Sequence, residues 1–136
     1  MIPSTNTVLS TTLVIEEQST KTHKLDVENN ILNGFCDELD AMRQCVYKTL
    51  NTERYQNIMY SWNYGVEFDD LFGEPIDYVI SELQRRITEA LVQDDRIQSV
   101  DDFEYQIIDR KTVSLTFVVH TVFGDLDSEK VVNLYV

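Results

Sequence analysis

The sequence predicts an α+β fold: two main helices packed on a small antiparallel sheet, with an N-terminal β-arm and a C-terminal three-stranded meander. Three observations predict it. Apolar residues recur at helical spacing in two separate segments of the middle of the chain. Beyond "QDDR" apolar and polar residues alternate with a period of two, and the N-terminal region is β-branched and threonine-rich. Strands gathered at both ends, with helices between them, fit segregated layers and not a repeating βαβ order.

Taken in order, "VLSTTLVIE" (residues 8–16) and "KTHKLDV" (21–27) read as two strands or an extended arm joined by polar "EQST". "ENNILNG" reads as turn, short strand, turn. At Asp37 the period changes: Leu39, Met42, Val46 and Leu50 fall on one helical face, Asp37 is placed to cap it, and the helix should stop near Asn51. The second helix carries the stripe Ile76, Val79, Ile80, Leu83, Ile87, Ala90 and Leu91, with Pro75 in the place of a first helical residue. Glu82 in its first half and Arg85 and Arg86 in its second match the helix dipole weakly. Phe103, Tyr105 and Ile107 then form one strand, "DRK" a turn, and Val113, Leu115, Phe117 and Val119 the next; "EKVVNLYV" follows "FGDLDS" as the last. Residues 1–24 are assigned to the arm and 25–136 to one domain, with no internal repeat, low-complexity tract or linker.

A chain of 136 residues, 43% hydrophobic and 26% charged, supports a core of its own. Its net charge of −13 excludes an obvious nucleic-acid face, because 11 Lys and Arg against 24 Asp and Glu do not assemble a phosphate-binding surface. The same imbalance opposes binding to an anionic membrane, and no apolar run approaches the ~18 residues of a membrane span. "MIPSTNTVLS" lacks the charged and apolar regions of a signal peptide. Proteins with basic patches are the expected partners. Cys36 and Cys45, if both were helical, would lie half a turn and roughly 13 Å apart, too far to bridge; both read as reduced, small core residues in a cytosolic assembly compartment.

No constellation carries chemistry. Glu53, Glu67, Asp69 and Asp70 offer paired carboxylates of the kind glycosidases use, beside aromatics that would suit a sugar, but such pairs are common in a chain this acidic. His23 and His120 are isolated, with His120 on the polar side of its strand. The four glycines are scattered, so no phosphate loop exists, and the aspartate doublets at 94–95 and 101–102 lack the spacing of a calcium loop. No metal or cofactor is expected.

The densest segment is "LNTERYQNIMYSWNYGVEFDDLFG", residues 50–73, which holds the only tryptophan and a Glu-Arg dipeptide. Together with "DELDAMRQCVYK" before it and "ELQRRITEALVQDDRIQSVDDFEY" after it, this segment resembles the sheath-initiator family, the small baseplate wedge proteins of contractile phage tails. The likeness is strongest to the branch found in prophages and phage-tail-like bacteriocins of Gram-positive bacteria, and it covers roughly residues 25–136. Glu53, Arg54, Gly65 and Leu71 occupy the places of the family's Glu-Arg motif, its glycine and its apolar pair. Many members have Glu-Pro-Arg there; this chain has no such proline.

The resemblance implies a non-enzymatic baseplate subunit in six copies. It would dock on the core bundle of the wedge proteins near the tail tube and nucleate polymerisation of the sheath protein. It further implies assembly in the bacterial cytoplasm and residence in a virion or bacteriocin particle. Glu53, Arg54, Tyr55, Trp62, Tyr64 and Gly65 become the wedge-facing residues, since aromatics and Arg anchor interfaces. Glu53 and Arg54 serve an intrachain ion pair, an intermolecular contact, or both. For Trp62 and Tyr64, packing against the two helices is the expected role over ligand stacking. Val131, Val132, Asn133, Leu134, Tyr135 and Val136 form an uncharged terminal strand with one edge to cover, either by the N-terminal strands or by a strand of another chain. The sheath-facing sheet would comprise 112–122 and 129–136. The alternative function is a tail-borne cell-wall glycosidase.

Overall fold

The computed structural model describes residues 19–134. Two strands, β1 (Thr22–Asp26) and β2 (Ile31–Cys36), form an antiparallel hairpin, followed by helix α1 (Glu38–Leu50) and a long connector with one 3-10 turn (Asp69–Leu71). Helix α2 (Ile76–Val92) leads into the meander β3 (Ile97–Asp109), β4 (Thr112–Thr121) and β5 (Gly124–Asn133), in the order β3-β4-β5. The α+β class and the C-terminal meander are as the sequence predicts.

Each helix begins and ends for a local reason. The Asp37 carboxylate accepts from the Glu38 amide at the start of α1, and the Asn51 amide closes the other end on the Tyr47 carbonyl. Helix α2 starts one residue later than its proline implied: Pro75 is the N-cap and Ile76 the first helical residue. The predicted stripe then points inward, with Val79, Leu83 and Ile87 fully buried, and Ala90 and Leu91 nearly so. They join Met42, Val46 and Leu50 of α1 and Leu115, Phe117, Val119, Leu126 and Val132 of the sheet in one core. A fully buried aliphatic side chain of this kind contributes roughly 1.5–3 kcal/mol.

Strand β1 pairs with β2, and it runs across the 24/25 boundary drawn from the sequence. Asp26 sets the turn by accepting from the amides of Glu28 and Asn29. The strand expected over 8–16 lies outside the described residues. Cys36 ends β2 while Cys45 lies on α1, so the single-helix premise does not hold; both thiols are free.

The last strand begins five residues earlier than "EKVVNLYV". Only Val122 and Phe123 separate β4 from β5, and "GDLDS" is ladder, not connector. Its acids hid this, because their alternation is with Leu126 and Ser128 and not with a run of large apolar residues. Tyr135 and Val136 lie outside the described residues.

Candidate functional site

Two features stand out against the core. One is the connector between α1 and α2, and the other is the outer edge of β5.

The connector is fastened by the motif residues at its ends. The amides of Val66 and Arg54 bond to the carbonyls of Thr52 and Val66, at 3.0 and 3.2 Å, in a short parallel bridge. Gly65 makes that approach feasible. Its φ is +90°, and a Cβ there would lie 2.6 Å from the Thr52 carbonyl oxygen. The Glu53 carboxylate accepts from the amides of Phe68 (3.0 Å) and Asp69 (3.2 Å). Burial pushes the Glu53 pKa up, and those two amide bonds pull it partly back. Arg54 donates Nε to the Gly65 carbonyl at 3.2 Å and pairs with Glu89 of α2 at 3.3 Å. Glu53 and Arg54 therefore do not pair with each other. In place of an ion pair within the dipeptide, Glu53 holds the backbone at Phe68 and Asp69, and Arg54 ties Gly65 to Glu89 of α2.

Arg86 is the residue that sequence reasoning missed. Its side chain, only 10% exposed, donates to the Glu67 carbonyl at 2.9 Å, pairs with Glu82 at 3.1 Å and grips Asp70 with both terminal nitrogens. Asp70 is held below the usual carboxylate range by that guanidinium. The bidentate fork pins the 3-10 turn to α2, where a point charge would not orient it. A 16-residue separation from Asp70 left no local signal; the only hint was an arginine one turn after Glu82 on a helix beside an acidic loop.

Between these anchors the chain bulges outward. Tyr55 has a φ of +71°, and successive turns bond Tyr60 to Asn57 and Tyr64 to Ser61. Trp62 is 77% exposed and Ile58 wholly so, with Tyr55 and Met59 also exposed. The expectation that Trp62 packs in the core therefore fails. Tyr64 is half-buried and stacks on Tyr60 at 4.5 Å between centroids. Composition cannot separate a core aromatic from an interface aromatic, because both need the same large apolar surface. Among the described residues this loop from Tyr55 to Trp62 is an apolar projection without a charge of its own on a strongly acidic protein.

The same bonds bear on hydrolysis. Glu53 points at backbone amides and Asp70 at Arg86, so neither is aimed into a cleft as a general acid or nucleophile would be.

The β5 edge follows from its register. Thr121 and Gly124 flank a two-residue turn and form the hydrogen-bonded pair that closes it, so Val119/Leu126, Phe117/Ser128, Leu115/Lys130 and Val113/Val132 also exchange bonds. Even-numbered residues of β5 thus turn their backbone toward β4 and their side chains toward the helices; Leu126 and Val132 are buried. Asp125, Asp127, Glu129 and Val131 turn their backbone to the other side, where no described strand pairs with them. The β1–β2 hairpin is a separate sheet and does not pair with this edge. Val132 and Leu134 belong to the core at 4% and 3% exposure, whereas Val131 is exposed. On the outer face His120 of β4 clamps its neighbours, with Nδ1 2.7 Å from Asp125 of β5 and Nε2 3.3 Å from Asp101 of β3.

The geometry can be set beside known proteins. Residues 17–124 match the model of the contractile injection system sheath initiator, and the chain belongs to that family. It is thus a structural component of a contractile tail. It is also 42% identical over 120 residues to the phage-like element PBSX protein XkdS of Bacillus subtilis (strain 168), a match spanning 85% of this chain and 84% of that protein. Among the described residues no helix is long and apolar enough to cross a membrane.

Proposed function

We propose that this protein is a non-enzymatic baseplate subunit on which the first sheath ring is nucleated, by addition of an extended sheath segment to the outer edge of β5. The observation that carries this reading is the edge itself. The backbone groups of Asp127, Glu129 and Val131 face outward from a strand that is firmly laddered on its other side. The exposed loop around Tyr55 and Trp62 is the wedge-facing surface, with Glu53, Arg54, Gly65 and Arg86 as its internal frame. Docking of that loop on the wedge core near the tube would set the β5 edges of six copies around the tail axis. Assembly would take place in the bacterial cytoplasm, and the finished protein would reside in the particle.

Two prolines one residue apart test the mechanism. Val131→Pro removes an outward amide and should leave the domain folded by circular dichroism, while baseplates carry bare tubes without sheath. Val132→Pro removes an amide that bonds to β4, and should damage the fold instead. Normal sheaths on Val131→Pro baseplates would mean that attachment runs through side chains elsewhere. Release of reducing sugar from peptidoglycan, lost in Glu53→Gln, would instead establish the hydrolase.

A further inference from the structure

The β5 register also restricts what an added strand must carry. We infer that the segment received at β5 is an extended strand with basic residues on one face and small or medium apolar residues on the other. This rests on the strand-addition reading above.

The two faces of the edge differ in chemistry. On the outer face the side chains next to an added strand are Asp125, Asp127 and Glu129, three carboxylates in alternate positions on a chain of net charge −13. Asp125 already engages His120, and Glu129 accepts from Ser114 at 2.6 Å, so Asp127 is the carboxylate least committed by those contacts. Cross-strand neighbours of opposite sign are favourable, and like charges in the same positions are unfavourable. An acidic strand would therefore be rejected.

On the inner face a cavity of about 190 Å³ lies between α1 and β5. Val46, Tyr47 and Leu50 supply its apolar lining beside Arg43 and Asn51, and Asp127 to Lys130 form the β5 side. None of its lining comes from β4, so it sits on the side of β5 where no described strand pairs and where the inward side chains of an added strand would descend. Lys130 lines the cavity with its amine committed to the Asn51 side-chain oxygen at 3.0 Å, near the Phe68 ring. A cavity of this size admits an aliphatic side chain beside Val46 and Leu50, while the cations Arg43 and Lys130 in its lining disfavour a further lysine. The spacing of carboxylates above and cavity below matches the two-residue period of a single strand.

The test uses the full chain and two capped synthetic heptapeptides, one alternating lysine with valine and the other glutamate with valine, threonine at both ends. Binding is read by titration in a two-dimensional amide spectrum. The lysine peptide should bind roughly tenfold more tightly, the size that three cross-strand charge pairs supply, and perturb β5 and α1. A protein this acidic attracts any cation, so the positional variants decide. Asp127→Lys should narrow or reverse the preference, with Asp127→Asn as the milder form. Ser128→Leu, which fills the cavity from β5, should weaken the lysine peptide several-fold. Val131→Pro should abolish binding of both.

Equal affinity for the two peptides, or a preference untouched by Asp127→Lys, overturns the inference while leaving strand addition standing if Val131→Pro still abolishes binding. Binding indifferent to Ser128→Leu removes the apolar half of the inference. Binding that survives Val131→Pro, or no binding of either peptide, overturns both readings.

Discussion

The connector and the meander solve the same problem, holding a surface in one shape, by opposite means. The meander uses a regular ladder: β4 is paired along its whole length with β5 and with β3 across bulges. The connector has almost no ladder. Its shape depends on Gly65, which lets two backbone segments approach, and on Glu53, Arg54 and Arg86, each bonded to backbone groups distant in sequence. A ladder spreads its strength over many equivalent bonds, so single changes at its edge should be mild. A latch concentrates its strength, so single changes there should be severe.

Gly65→Ala breaks the comparison hardest. A Cβ 2.6 Å from the Thr52 oxygen at φ +90° forces the parallel bridge apart, and we expect a loss of about 3 kcal/mol, measured by urea unfolding. Arg86→Ala should come next, at about 2 kcal/mol. It orphans the Glu67 carbonyl and frees Asp70, whose exposure to water softens the cost below that of a fully buried pair.

The meander offers a smaller, pH-dependent effect. The hydrogen bond that His120 donates to Asp125, then the charges of Asp125, Asp101 and Asp102, raise the His120 pKa above its ordinary 6.5. A group whose folded pKa is raised contributes stability that is complete below its unfolded pKa and lost as pH rises through the folded value. Stability should therefore fall as pH rises above about 6.5 in unfolding titrations, and Asp125→Asn should flatten that slope. Smallest is Trp62→Ala. With 77% of the residue exposed, folding stability should change by no more than about 0.5 kcal/mol. Incorporation into baseplates should nonetheless drop, because exposed aromatics of this kind anchor interfaces.

The same contrast explains what the sequence revealed. Helix α2 and the strands were legible because burial imposes a period, as at Val79, Leu83 and Ile87 or at Val113, Leu115 and Phe117. The start of β5 was not, since Asp125 and Asp127 face solvent and read as a loop. The connector residues were legible as a concentration of chemistry but not as a geometry. Nothing in "NTERY" says that Glu53 reaches Phe68 or that Arg54 reaches Glu89. Trp62 was misplaced for a related reason: an aromatic carries no mark of which surface it covers, its own core or a partner's.

A density map of assembled tails at residue resolution tests the central claim most directly. The account predicts a fourth strand from a sheath subunit beside β5, its backbone bonded to Asp127, Glu129 and Val131. A sheath strand on the β3 edge, or a β5 edge left open beneath a fully formed sheath ring, would contradict it.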